Sequence, residues 1–137
     1  MKKSKKYKTG ITFGAFDPLH LGHINLFRNA LEQCENLIVA VSSDEYIREI
    51  KKYEAKFSYE ERIVGISMIK GVSKIVMQGF GEFSKKGLVK KYKPDCIFVG
   101  DDWNEKTFSG EGLGIPVIYL PRTKKVSGTE LRKSNGF

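Results

Sequence analysis

The sequence predicts an α/β fold in which a doubly wound parallel sheet of five strands is flanked by helices. Three observations lead there. Five short β-forming runs alternate with helical patterns along the 137 residues. The runs are continuously apolar rather than strictly alternating, as expected when helices cover both faces of a parallel sheet. The residues able to do chemistry cluster just after the runs, where open parallel sheets hold their ligands.

The first run, Lys8 to Phe13, is rich in β-formers and leads into Gly14-Ala15-Phe16-Asp17-Pro18-Leu19-His20-Leu21-Gly22-His23. Behind it Ile24, Phe27, Leu31 and Cys34 recur at steps of three and four, which predicts an amphipathic helix carrying Cys34. Leu37 to Ser42 forms the second run and ends in Ser42-Ser43-Asp44. Ser58-Tyr59-Glu60-Glu61 has capping-box spacing and opens a helix with Ile63, Ile66 and Ile69 on its inner face. Lys74 to Met77 is the third run, and Cys96 to Val99 the fourth, followed by Gly100-Asp101-Asp102-Trp103. Asn104 to Gly114 is a glycine-containing loop before the fifth run, Val117 to Leu120. Ser127-Gly128-Thr129-Glu130 repeats the capping spacing and starts a last helix.

No repeat, low-complexity tract or linker divides the chain, and its length suits one domain over residues 1–137. Composition is that of a soluble protein, with 40% hydrophobic and 29% charged residues, and no apolar stretch reaches a membrane span. The basic N-terminus lacks the apolar core of a secretory signal, so a cytoplasmic protein is expected. Cys34 and Cys96 lack metal-ligand spacing and are expected to pack as small core residues without a disulfide. Lysine and arginine total 24 against 16 acids, and the net charge of +8 favours anionic partners. Lys2, Lys3, Lys5, Lys6 and Lys8 supply part of it as a solvated tail. A phosphorylated small molecule explains the spread of bases as well as nucleic acid does, and no aromatic platform is interleaved with them, which argues against a single-stranded nucleic-acid groove.

His20 and His23, the chain's only histidines, fall at a strand-to-helix turn. Backbone N–H groups are unpaired there and the helix dipole is positive, so a triphosphate is held without a large cationic pocket. Gly22 lets phosphates approach the backbone, and two imidazoles three residues apart can donate to one phosphate. Asp17 before Pro18 is a turn starter and is expected to shape this loop. Gly100 to Trp103 offers carboxylates and a ring, either to border a base or as a surface turn. Arg122, Thr123, Ser127, Gly128 and Thr129 bring a guanidinium, hydroxyls and a helix N-terminus suited to β- and γ-phosphates, with capping by Ser127 compatible with that use. Arg62 is open between a surface ion pair with Glu60 or Asp44 and a phosphate ligand.

Taken together, GAFDPLHLGH at Gly14 to His23, FSYEER at Phe57 to Arg62, GDDW at Gly100 to Trp103, YLPRT at Tyr119 to Thr123 and SGTELR at Ser127 to Arg132 make the chain resemble the HxGH nucleotidyltransferases, most of all the glycerol-3-phosphate cytidylyltransferase group. The resemblance implies a Rossmann-like sheet and transfer of CMP from CTP to a small phosphorylated alcohol, such as a polyol phosphate or a phosphonate. Pyrophosphate is released, usually by a homodimer with Mg²⁺ accompanying the nucleotide and no dedicated protein metal site. It implies that His20, His23, Arg122 and Ser127 are catalytic. Nucleotide would be held by Phe13, Gly14, Ala15, Phe16, His20, Gly22, His23, Asp101, Trp103, Arg122, Thr123, Ser127, Gly128 and Thr129. Asp17, Lys51, Lys52, Lys56 and Arg62 would face the acceptor. Pro18 and SGTELR are closer to adenylyl-transferring relatives, which leaves ATP with FMN or a sugar phosphate as an alternative. A non-catalytic module binding nucleotide or nucleic acid is the alternative from another class.

Overall fold

The computed structural model describes residues 5–100 and 112–121. Five parallel strands run β1 (Tyr7–Gly14), β2 (Cys34–Ser42), β3 (Val72–Gln78), β4 (Cys96–Gly100) and β5 (Val117–Leu120). Their spatial order is β3-β2-β1-β4-β5, so the chain winds outward from β1 on one side, then returns to lay β4 against its other side. The doubly wound sheet expected from the sequence is the one observed, each run appearing in place with ends extended by up to three residues. Reversal of strand order beside β1 opens a crevice at the carboxyl ends of β1 and β4.

Between the strands lie helices α1 (Leu21–Leu31), α2 (Asp44–Tyr46, continuing as a π-helical turn over Ile47–Lys51), α3 (Tyr59–Ser67) and α4 (Lys85–Tyr92). One face of the sheet packs Leu37, Val39, Val41 and Phe98 with Phe27 and Ala30 of α1 and Ile66 of α3. The other packs Ile11, Ile38, Ala40, Val76, Ile97 and Val99 with Leu88 of α4. Ile66 is fully buried and Ile63 packs partly buried against the same cluster, as their spacing predicted, whereas Ile69 reaches that cluster from beyond the end of α3 at Ser67. Ser58 caps α3 in the expected box: its hydroxyl accepts from Glu61 N–H at 3.2 Å, and the Glu61 carboxylate accepts from Ser58 N–H at 2.9 Å.

Cys34 corrects the sequence expectation. It continues the helical step from Leu31, yet α1 ends before it and Cys34 opens β2, paired with Tyr7. The ladder takes it because Tyr7 N–H already donates to Gln33 O at 2.8 Å, which starts strand geometry one residue earlier. Both cysteines are buried free thiols. Burial pushes the Cys34 thiol up and, with Cys34 and Asp95 nearby, pushes Cys96 up to about 12, so neither is a thiolate at neutral pH. Among the described residues no helix is long and apolar enough to cross a membrane.

Candidate functional site

β1 delivers the chain to the carboxyl edge at Gly14, and the next residues fold back over the strand end. Phe16 takes a left-handed φ of 54° and buries its ring, leaving it 4% exposed. A Cβ on Gly14 would stand 2.9 Å from that ring, so glycine is required there by Phe16 as much as by any ligand. The Phe16 ring meets His23 edge-on at 4.9 Å and Phe27 at 5.4 Å. It was expected among the nucleotide-binding residues; its place is beneath a histidine, fixing that ring from inside.

His20 and His23 are locked to each other through the backbone. Gly22 N–H donates to His20 Nδ1 at 3.0 Å, and His20 N–H donates to His23 Nδ1 at 3.1 Å. The pair thus forms a capping box for α1 with imidazoles in place of the usual hydroxyl and carboxylate. The rings stack with centroids 3.9 Å apart and planes 27° from parallel. A neutral imidazole whose Nδ1 accepts carries its proton on Nε2, so this backbone geometry selects two outward Nε2–H donors. Desolvation by burial, with His20 adding to it, lowers His23 to about 4 and keeps its ring a neutral donor at physiological pH.

The loop between α2 and α3 is tied to the same edge. Asp17 accepts from Lys56 N–H at 2.7 Å and Phe57 N–H at 2.9 Å, one carboxylate oxygen each. This is the loop-shaping role its sequence suggested, tying the segment before α3 to the turn after β1. Arg62, open to two readings in the sequence, is buried at 3% exposure. Its Nε donates to Phe57 O at 3.0 Å, and one terminal nitrogen donates to Ala15 O at 2.8 Å and Ser42 O at 2.7 Å. The other meets Asp44 Oδ1 at 2.6 Å, so the ion pair forms with Asp44 and is internal on the arginine side. Four N–H groups of the guanidinium are therefore engaged with protein, binding the ends of β1 and β2 to the segment before α3. A phosphate-ligand role is reduced to what one remaining N–H can reach.

Beside it, Lys51 ends the turn after α2 and Lys85 begins α4. Desolvation, then the nearby Lys85 and Arg62, lowers Lys51 to about 8. Desolvation also lowers Lys85, whose ammonium donates to Tyr46 Oη at 3.3 Å and lies 5.6 Å from the Phe13 ring centroid. Cations gathered in a partly desolvated place favour a bound anion. Sequence reading found Lys51 but passed over Lys85 and Tyr46; the only signal was Ser84, which caps α4 and marks a helix N-terminus after β3. Lys52 is exposed in a left-handed conformation, and Lys56 contributes its backbone N–H to Asp17. Ser42 donates to Gly14 O and to Gln78 Oε1, both at 3.3 Å, behind the site.

The expected site residues Asp101, Trp103, Arg122, Thr123, Ser127, Gly128 and Thr129 lie outside the described residues, as does the helix expected from Ser127. Among the described residues, Phe13 at the end of β1 and His20, Gly22 and His23 after it lie at the carboxyl edge, and Lys51 joins them through Lys85, whose ammonium is 5.6 Å from the Phe13 ring centroid.

Comparison with known proteins bears on this edge. A family model described as "Cytidylyltransferase-like" matches residues 11–134. The chain is 37% identical over 127 residues to a glycerol-3-phosphate cytidylyltransferase of Staphylococcus aureus (strain NCTC 8325 / PS 47), covering 92% of this chain and 93% of that protein. It is 35% identical over 114 residues to an FAD synthase of Pyrococcus abyssi (strain GE5 / Orsay), covering 79% of this chain and 76% of that one. Among solved structures, a lipopolysaccharide core biosynthesis protein from Thermoplasma volcanium GSS1 superposes with a TM-score of 0.67 at 28% identity, over 86% of this chain and 98% of that one.

Proposed function

The chain belongs to the cytidylyltransferase-like family and is a nucleotidyltransferase, and from that premise we propose that it transfers CMP from CTP to a small polyol phosphate of the glycerol 3-phosphate kind. A phosphonate is the nearest variant of the same acceptor. An oxygen of the acceptor phosphate attacks the α-phosphorus of CTP in line, the bond to the β-phosphate oxygen breaks, and pyrophosphate leaves. The acceptor is already an anion at neutral pH, so no residue is required to remove its proton. The chain aligns the reactants and meets the charge that develops.

The observation that carries this reading is the reciprocal capping of His20 and His23, which presents two Nε2–H donors at the N-terminus of α1. Lys51 and Lys85 are proposed to face the acceptor phosphate, with the exposed Lys52 and Lys56 near Lys51 in sequence. Arg62 and Asp17 act on that site through the loop they hold. Arg122, Ser127, Gly128 and Thr129 are proposed to hold the departing pyrophosphate, and Asp101, Trp103 and Thr123 the nucleotide, by their match to the family's pattern.

Mg²⁺ is proposed to enter on the triphosphate. Such an ion keeps phosphate and water ligands and needs no protein cage of its own. Residues 1–137 act as one catalytic domain in this reading, in the cytoplasm where free CTP is available. A second copy is proposed to pair across α3, where Val64 and Met68 stand 59% and 80% exposed one helical turn apart.

The test is pyrophosphate release from CTP and Mg²⁺ with glycerol 3-phosphate, ribitol phosphate, erythritol phosphate or a phosphonate, and the mass of the cytidylylated product. Turnover with one of them is expected. The 35% identity to an FAD synthase favours ATP with FMN, or with a sugar phosphate, as the second reading. Turnover confined to ATP would replace the first reading by it, and nucleotide binding without any turnover would indicate a binding module.

A further inference from the structure

β3 is the outer strand of the sheet, and its flank carries an unusual distribution of charge. Between residues 74 and 93, Lys74, Lys86, Lys90, Lys91 and Lys93 are all exposed, and Glu82 is the only acid in that segment. Apolar side chains stand among them: Met77, Phe80 and Phe83 are 37%, 42% and 43% exposed. Behind these a groove of about 160 Å³ between β3 and α4 is lined by Ile75, Val76, Met77, Phe83, Leu88 and Tyr92, with Glu82 and Lys91 as its two charged residues. The ammonium groups of Lys74 and Lys91 lie 5.7 and 5.4 Å from the Tyr92 ring centroid, so two cations from different elements gather on one ring.

We propose that this β3–α4 flank is a docking surface for an anionic lipid bilayer. Ammonium groups on flexible stems, set around protruding aromatic and methionine side chains, suit the boundary between phosphate headgroups and acyl chains. Charge decides against a second copy of the chain on this flank, because a two-fold axis would oppose five lysines to the same five. Nucleic acid is disfavoured by the rings: Tyr92 is covered by cations and Phe80 packs on Tyr46 at 5.5 Å, leaving no open platform for bases. Lys74 alone would be explained as a guard against edge pairing, but the lysines of α4 are not on a strand edge.

Co-sedimentation of the full chain with vesicles of phosphatidylglycerol and phosphatidylcholine, and of phosphatidylcholine alone, tests the proposal. Binding to the anionic vesicles only is expected, weakening as salt is raised. K90E/K91E should lower the partition coefficient at least about tenfold, and Phe83→Ser should lower it several-fold at constant charge. Circular dichroism should be unchanged in both variants, and cytidylyl or adenylyl transfer unchanged in K90E/K91E, whose side chains stand in the last turn of α4, at the opposite end from Lys85. Absence of binding to anionic vesicles by the unaltered chain at low salt would overturn the proposal. So would binding indifferent to K90E/K91E, which would assign it to the N-terminal lysines, or indifferent to Phe83→Ser, which would make it diffuse charge attraction. Preferential binding of RNA over vesicles, lost in K90E/K91E, would reassign the surface to nucleic acid.

Discussion

His20 and His23 illustrate how a residue's chemistry is set by backbone contacts made before any ligand arrives. Each Nδ1 is occupied by an N–H of the first turn of α1, so each Nε2 is left as the donor. Replacing either histidine by alanine is expected to lower kcat by about a hundred- to a thousandfold, about 3–4 kcal/mol in the barrier, with a smaller change in nucleotide affinity. Steady-state kinetics beside equilibrium binding separates the two effects. His23 also fixes a pH response. Its folded value of about 4 lies below the 6.5 of the free side chain. Between those values the unfolded chain binds the proton more readily, so stability is fully present above about 6.5 and falls as pH drops towards 4. Thermal unfolding of His23→Gln should show a shallower decline over that window than the unaltered protein. The sequence made the two histidines and their turn legible, because strand, glycine and helix pattern surround them. It did not reveal that Phe16 faces inward or that Arg62 is buried, since a positive φ and a tertiary web of carbonyls leave no mark on residue spacing.

Among elements, the connection between α2 and α3 depends on Arg62. Its guanidinium gathers carbonyls from Ala15, Ser42 and Phe57 with the Asp44 carboxylate, so three segments share one side chain. Arg62→Leu takes the donors from these acceptors, of which the Ser42 carbonyl is buried, and should destabilise the fold by about 1–3 kcal/mol, readable as a lower denaturant midpoint. Arg62→Lys, a point charge without the fork, should recover only part of that loss. The strands and α3 were legible because continuous apolar runs and a capping box are local signals. The boundary at Cys34 was not, because a helical step and a strand ladder compete for it and the pairing with Tyr7 is set by distant sequence. Lys85 was missed for a related reason: its proximity to Lys51 and Tyr46 arises only when α4 docks beside α2.

For the whole molecule, five strands placed in the right order of sequence still left their order in space to be supplied by the fold rules for parallel crossovers. The site that results joins residues distant in sequence, so nucleotide should act on global stability. CTP with Mg²⁺ at about 100 times its dissociation constant adds roughly 2.7 kcal/mol and should raise Tm by on the order of 10 °C, more than ATP does under the cytidylyl reading. A larger shift with ATP would point to adenylyl transfer. The position of β1 at the centre of the sheet has a consequence for how the chain is made. β1 is built early and finds β2 soon afterwards, but its other neighbour, β4, begins only at Cys96. At about 5–20 residues per second, a ribosome leaves one side of the central strand without its partner for several seconds. During that interval the nascent half-sheet presents an open apolar edge to neighbouring chains. For as long as synthesis takes to pass from β2 to β4, that edge stands open to pairing with other chains, whatever the stability of the finished sheet.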